Sequence, residues 1–206
     1  MHYDNVDWAD FMTEWKDDPK NKSLSKAGDD RTPAWRWLGC VYHDGNHLSI
    51  PQANIMKCLM EGGAMVPVPG GKMGKTFKSQ TQSGMMSVEP FWTLYVNGKT
   101  IDWKTVEALK DTAKFSAHKE AARELGFELL VKRAAVGSSK HIRVRPQFHA
   151  GWRAEGSIAV WDEQITEDAL RSIFEYAGQY KGIGDWRPGA PKKPGPYGTF
   201  EAEIII

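Results

Sequence analysis

The chain has 206 residues with 27 basic and 26 acidic side chains, so its net charge of +1 gives no overall attraction to a polyanion. Two cysteines are too few for a secreted disulfide scaffold, and no apolar run approaches the ~20 residues of a membrane helix. The charges are unevenly distributed, however. Residues 129–154 hold six basic residues and 62–88 hold three, with no acid in either stretch, whereas residues 1–30 carry eight acids. This asymmetry favours a polyanion groove or head-to-tail self-association.

The first elements follow from helical and strand spacing. Residues 4–17 place aromatic side chains at helical spacing among acids, which predicts a short acidic helix within residues 1–18. Residues 34–42 alternate bulky side chains and predict a strand, joined by a turn at 43–46 to a second short strand. Pro51 can then open a helix, which Gly62 and Gly63 end.

The middle of the chain alternates irregular and periodic segments. Residues 64–87 have little periodicity, so 62–88 is predicted to be a mobile basic insertion. A strand is predicted over 89–96 with an Asn-Gly turn after it, then helix over 104–125, weak in its middle, and a strand over 127–135. The alternation of HIRVRPQF sends Arg143 and Arg145 to one face of a strand, and residues 152–161 are expected to be its antiparallel neighbour.

Near the end of the chain, a strongly periodic helix has Thr166 as its N-cap and is predicted to end at Gly178. The β-branched run at 200–206 predicts a terminal strand. Between them lies a glycine-rich loop at 182–188. In dinucleotide-binding folds the loop runs from strand to helix, so the opposite order here disfavours a Rossmann site.

Four residues of this loop are candidates for ligand binding. Gly182 and Gly184 allow close backbone approach, Trp186 offers a stacking face, and Arg187 offers a planar charged fork. The alternative is a tight turn in which Trp186 belongs to the core and Arg187 pairs with Asp185.

The chain as a whole is expected to form one elaborated α+β domain over residues 1–206. Its predicted core is a ferredoxin-like, RRM-like antiparallel sheet with helices on one face, a long thumb-like insertion and the C-terminal glycine-rich loop.

Three patterns suggest chemistry but fail on their spacing. GGKMGKT has three residues between its glycines where a P-loop has four. Four residues have the types that bind zinc: Cys40, His43, His47 and Cys58. Strand alternation turns Cys40 and His43 to opposite faces, and Cys58 lies beside the buried stripe of its helix, so a shared metal site is not expected. Two histidines, His141 and His149, flank the basic segment without an evident catalytic partner. No catalytic residue, metal or cofactor is therefore predicted.

Three segments carry a resemblance to a known family: IPQANIMKCL after the hairpin, HIRVRP on a strand, and GIGDWRP with GPYGTFEAEI at the end. The chain resembles phage-encoded proteins related to the repeat-associated mysterious protein (RAMP) superfamily, which includes backbone subunits of CRISPR effector complexes. The resemblance implies binding of RNA or single-stranded DNA by the glycine loop and by Asn54 and Lys57, with 64–88 as a thumb. Superfamily members often carry an arginine in the first helix, where this chain has Lys57.

These observations predict non-catalytic binding of single-stranded RNA or DNA along a basic groove, with polymerisation into a head-to-tail filament or ring. The predicted contacts are Asn54, Lys57, Lys72, Lys75, Lys78, Arg143, Arg145, Gly182, Gly184, Trp186 and Arg187. We expect a cytoplasmic role in a bacterial host, without a membrane partner, in phage replication or recombination, in a CRISPR-related process or against host defence. The alternatives are a metal-independent endoribonuclease using histidine and a phage structural or assembly protein.

Overall fold

The computed structural model describes residues 6–24, 26, 28–136 and 139–206. The α-helices are α1 (Val6–Asp17), α2 (Gln52–Gly63), α3 (Lys78–Ser83), α4 (Trp103–Glu107), α5 (Phe115–Glu124) and α6 (Glu167–Tyr176). The strands are β1 (Ser49–Pro51), β2 (Met85–Ser87), β3 (Phe91–Val96), β4 (Lys99–Thr100), β5 (Glu128–Val136), β6 (Ser139–Gln147), β7 (Arg153–Glu155) and β8 (Ile158–Val160). Short 3-10 helices cover Pro19–Asn21, Ala34–Cys40 and Ala108–Asp111, and a π-helix covers Ala177–Lys181.

Antiparallel pairing joins β5 to β6, β2 to β8 and β3 to β4. Strand β3 also pairs with β1 and β7. The turn between β3 and β4 has Asn97 at φ 52° and Gly98 at φ 75°, the left-handed pair that a tight hairpin requires, so this predicted turn is confirmed. Helices together with antiparallel ladders confirm the predicted α+β class.

The chain forms two compact units, each built from two separate stretches. Unit 1 contains residues 1–49 and 93–154, and unit 2 contains residues 50–92 and 155–206. The chain therefore passes from one unit to the other three times, within β1, β3 and β7. The single elaborated domain expected over residues 1–206 stays a prediction.

In unit 1, the predicted strand over residues 34–42 is wrong. Residues Ala34–Cys40 form a 3-10 helix that begins after Pro33. Three residues per turn place Ala34 above Trp37, with Leu38 a third of a turn further round, and all three side chains are buried. A strand would turn the adjacent Trp37 and Leu38 to opposite faces, and both are fully buried on the core of this unit.

His118 on α5 is buried beside this 3-10 helix. Its Nδ1 accepts a hydrogen bond of 3.0 Å from the indole N–H of Trp37, and its Nε2 lies 2.8 Å from the carbonyl O of Thr112. An acceptor at Nδ1 and a donor at Nε2 define a neutral ring. Burial lowers the pKa of His118 below its ordinary value.

In unit 2, α2 and α6 are confirmed as predicted, with N-cap Thr166 accepting a hydrogen bond from the Ala169 N–H at 3.3 Å. A Cβ added to Gly62 would lie 2.7 Å from the carbonyl O of Ile173. Helix α2 ends at Gly63, as predicted, and Gly62 in its last turn permits close helix packing.

Two predicted boundaries near the end of the chain are wrong. Gly178 does not end α6, because the helix continues as the π-helix Ala177–Lys181 and Gly182, at φ 68°, follows it. Gly178 instead makes room for the carbonyl O of Phe200, which a Cβ would overlap. Residues 200–206 form no strand, although the Phe200 N–H donates to the Gly178 O at 3.3 Å.

The predicted partner of β6 is also wrong. Strand β6 pairs with β5, whereas residues 152–161 contain β7 and β8, which pair with β3 and β2. The segment 64–87, expected to be irregular, contains α3 and β2 in its second half. Phe77, Thr81 and Met85 are buried there, so the exposed irregular part is shorter than predicted.

We expect acid to destabilise the fold through His118. Its folded pKa lies below the unfolded value of about 6.5, so the unfolded chain binds this proton more readily. The stability that neutral His118 contributes is present above pH 6.5 and is lost as the pH falls through the pKa of His118 in the folded protein. Melting temperatures followed by circular dichroism from about pH 7.5 to about pH 5 should decrease less steeply in His118→Gln than in the wild type. His149→Gln, at an exposed position, is the control, and an unchanged slope in His118→Gln would contradict this assignment.

Candidate nucleic-acid interface

The two arginines predicted on β6 lie on one face, as expected, and both contact a buried carboxylate. Asp30 accepts from the guanidinium Nη1 of Arg143 at 3.0 Å and of Arg145 at 3.4 Å. Arg36 Nη2 lies 3.4 Å from the same carboxylate. The Asp30 side chain is only 5% exposed and the arginines 17–20%, so this cluster is largely withdrawn from water.

Backbone pairing places Asp30 at this position. The Ile142 N–H donates to the Gly28 O at 2.7 Å, and the Asp30 N–H donates to the Ile142 O at 3.0 Å, so residues 28–30 run beside β6 like a further strand. Next to it, Arg31 donates two guanidinium hydrogen bonds to Asp29, at 2.9 and 2.6 Å. These hydrogen bonds hold the pKa of Asp29 below its ordinary value.

In unit 2, Arg187 of the glycine-rich loop forms an ion pair with Glu61 of α2. One guanidinium nitrogen lies 3.2 and 3.1 Å from the two carboxylate oxygens, and the side chains are 17% and 26% exposed. The pair ties the loop to α2. Phosphate binding by Arg187 stays a prediction, as does the pairing with Asp185 considered from the sequence.

Trp186 packs against Tyr197, with ring centroids 5.3 Å apart, and its indole N–H donates to the Pro194 O at 3.2 Å. Gly182, at φ 68°, has the Gly198 O within 2.9 Å of where a Cβ would lie. The thiol of Cys58 also donates to the Gly182 O at 3.2 Å. Close approach at Gly182 is therefore made by the chain itself. A Cβ on Gly184 would meet no atom within 4 Å, so this glycine faces open space at φ 86°.

The residues considered for zinc have other contacts. Burial raises the pKa of the Cys58 thiol to about 12, so this thiol stays protonated and acts as a donor. The imidazole of His43 stacks on the ring of Trp103 with their centroids 3.8 Å apart. Burial lowers the pKa of His43 below its ordinary value. Within residues 6–24, 26, 28–136 and 139–206, no group of three or more His, Cys, Asp or Glu residues is arranged to hold a metal ion.

The three predicted lysines of the insertion lie on a loop that we call the lysine loop, residues 66–78. Its base is closed by backbone hydrogen bonds of 3.0 Å from Phe77 N–H to Val66 O and from Val68 N–H to Lys75 O. Lys72, Lys75 and Lys78 are exposed, and Met73 between them is fully exposed at 105%. None of the three lysines forms an ion pair with the part of the chain that the structure describes.

The other predicted contacts differ in exposure. Lys57 on α2 is exposed and Asn54 is half-buried. In unit 1, the register of β5 and β6 puts exposed Arg133 and Lys140 on the same face of the hairpin. This second basic surface lies on the face opposite to Arg143 and Arg145.

The two histidines kept for the nuclease alternative show no mutual contact. The imidazole of His141 packs on Gly28, where a Cβ would lie 2.9 Å from the ring. His149 Nε2 lies 3.9 Å from a carboxylate oxygen of Glu128, and both side chains are about half exposed.

Sequence reasoning missed the carboxylates that hold these arginines. Asp29 and Asp30 count among the eight acids of residues 1–30, and Glu61 has no role in the predicted site. A useful signal was available: two adjacent acids followed by Arg31, in a segment with no periodicity, often form local side-chain contacts. The partner across the chain, in contrast, depends on the tertiary fold.

The sequence matches no protein-family model, and comparisons with curated proteins and with solved structures also found no match. Among the described residues, every helix is too short or too polar to cross a membrane.

We expect Asp30→Ala to destabilise the protein by about 3 kcal/mol, because it removes a buried carboxylate that three guanidinium groups share. Urea denaturation measures the change. Glu167→Ala is the matched control, since it removes a carboxylate from an exposed ion pair with Arg171 and should cost less than about 1 kcal/mol. Equal losses in the two variants would show that the Asp30 cluster contributes little.

A double-mutant cycle tests the structural role of Arg187. Arg187→Ala and Glu61→Ala each leave a partly buried charge without its partner, so each should lower the free energy of unfolding by about 1–3 kcal/mol. The double variant should lose less than the sum, with a coupling energy of about 0.5 kcal/mol or more. Additive losses would show that the two side chains do not stabilise each other.

Proposed function

We propose that this protein binds single-stranded nucleic acid, RNA or DNA, through its phosphates and without cleaving it. The observation that carries the proposal is the lysine loop, where exposed Lys72, Lys75 and Lys78 project from a stretch that contains no acid between residues 62 and 88. Phosphate contacts of this kind release counterions and need no sequence-specific groups.

The loop has features that suit such a ligand. Its base is fixed by backbone hydrogen bonds, and Gly70 and Gly74 have positive φ with open space where a Cβ would be. Because these two glycines have no side chain, a nucleic-acid strand can approach the backbone closely there. The exposed thioether of Met73 supplies an apolar contact for the face of a base, between charges that would hold the flanking phosphates.

Other basic groups contribute less to this proposal. Arg143, Arg145 and Arg187 already bind carboxylates, and a phosphate would have to compete with those partners. In unit 1, exposed Arg133 and Lys140 near the tip of the β5–β6 hairpin offer a separate phosphate contact.

The narrower description rests on the resemblance to the RAMP superfamily. Under it, the fold would be ferredoxin-like, and the lysine loop would be the thumb of a nucleic-acid-binding subunit. The same resemblance supports a cytoplasmic role in a bacterial host, in phage replication or recombination or in a CRISPR-related or anti-defence process, with copies assembling along the strand.

Replacing the three lysines tests the proposal. Lys72→Ala/Lys75→Ala/Lys78→Ala should weaken binding of a labelled single strand roughly tenfold or more at about 100 mM salt. It should also lower the slope of log K against log salt by about two, since each lost contact on a single strand accounts for about 0.7. Fluorescence anisotropy with single-stranded RNA, single-stranded DNA and duplex DNA gives both quantities.

The matched control is Lys99→Ala/Lys104→Ala/Lys110→Ala, which removes the same charge from exposed positions in unit 1 and should keep wild-type affinity. If both triple variants bound the single strand equally weakly, the loss of net charge would explain the effect and the lysine loop would have no special role. Absent binding would favour the structural or assembly alternative. Strand cleavage that His141→Ala or His149→Ala abolishes would favour the endoribonuclease.

A further inference from the structure

Strand β8 has an outer edge that pairs with nothing in the described part of the chain. Its ladder with β2 contains a hydrogen bond from Val88 N–H to Ser157 O at 2.9 Å and one from Trp161 N–H to Gly84 O at 3.0 Å. Backbone groups of an antiparallel strand alternate in direction, so those of Ile158 and Val160 point away from β2. Among the described strands, β8 pairs with β2 alone.

This edge lacks the features that keep exposed strands from pairing. Residues 156–161 contain no charge and no proline, and β8 itself reads Ile-Ala-Val. Apolar side chains are exposed beside it, with Met86 at 51%, Val88 at 62% and Trp161 at 57%. Proteins usually protect such an edge with lysine, proline or a bulge, because an uncovered one accepts a further strand.

The same unit exposes a segment that has strand composition but no strand partner. Residues 202–206 end in three isoleucines, yet they form no ladder, and Ile205 and Ile206 are 89% and 83% exposed. Within this segment, the Ile204 O accepts a hydrogen bond of 3.3 Å from Arg171 Nη2 on α6, a contact that strand addition would have to keep or replace. Consecutive isoleucines favour extended backbone and pay little to become a strand.

We propose that residues 202–206 of one copy of this chain add as a third strand to the outer edge of β8 in a second copy. Each partner supplies what the other lacks: unpaired backbone groups at the edge, and a β-branched extended segment with apolar side chains. A second copy is the occupant because every molecule carries both elements, and among the described residues neither the outer edge of β8 nor residues 202–206 pairs with a further strand. A two-stranded sheet also gains stability when a third strand joins it.

The contact uses two different surfaces, so it is heterologous and propagates head to tail. A strand this short buries less area than a stable interface needs, so association is weak, with Kd roughly 10–100 μM. Like charges also face each other: Glu155 and Asp162 flank β8, while Glu201 and Glu203 precede the isoleucines. Salt screens this repulsion and strengthens assembly, whereas it weakens phosphate binding.

Analytical ultracentrifugation of the full chain tests the proposal. The weight-average mass should rise above that of a monomer between about 5 and about 500 μM, and rise further as salt increases. Ile205→Lys/Ile206→Lys removes the donor strand. Val160→Pro blocks the edge while leaving the β2 ladder intact, because the N–H of Val160 points outward. Each variant should stay monomeric, and melting temperatures should show that both remain folded.

Mixing the two variants gives the sharpest result. The donor variant keeps an intact edge and the edge variant keeps an intact donor, so an equimolar mixture should form dimers that do not grow. Met65→Lys, which adds a lysine at another exposed apolar site of unit 2, should assemble like the wild type. A wild-type chain that is monomeric at every concentration would overturn the proposal. So would assembly that persists in the donor variant, since another surface would then be responsible.

Discussion

The cost of burying an unpaired charge determines which basic residues of this chain are available to a ligand. Asp30 gathers the guanidinium groups of Arg36, Arg143 and Arg145 in a largely buried cluster, and Glu61 holds Arg187. The side chains in these pairs are 5–26% exposed, so removing a carboxylate would leave cations in a poorly hydrated place. The same pairs that organise the fold therefore withdraw the arginines that sequence patterns favour as phosphate ligands.

Local periodicity predicted the elements that bury one face over several turns or residues, including α2, α6, β3, β5 and β6. It failed where the buried pattern depends on a partner. The 3-10 helix at Ala34–Cys40 buries the adjacent residues Trp37 and Leu38, and β7 and β8 pair with strands more than fifty residues away. Each unit is made from two separate stretches of chain, so these partners are set by long-range packing that no sequence window contains.

The candidate nucleic-acid interface was likewise predictable only where local sequence patterns determine it. Alternation correctly placed Arg143 and Arg145 on one face, and composition correctly marked the lysine loop as basic and irregular. The glycine-rich loop was harder to interpret, because Gly182 serves both an internal close approach and the positive φ that a ligand loop would also need. Composition alone does not distinguish a glycine that admits a ligand from one that admits a neighbouring carbonyl, as at Gly178 and Gly182.

Arginine and lysine differ in the contacts they make in this protein, and the difference supports the proposal that the ligand binds at the lysine loop. Arginine has a planar fork that matches a carboxylate, and here Arg31, Arg143 and Arg187 all use it in pairs within their own unit. Lysine keeps a compact, strongly hydrated charge that remains in water until a phosphate replaces that water. Among the described residues, Lys72, Lys75 and Lys78 form no ion pair that binding would have to break. In the proposed function, the affinity would therefore depend mainly on phosphate contacts, which carry no sequence preference.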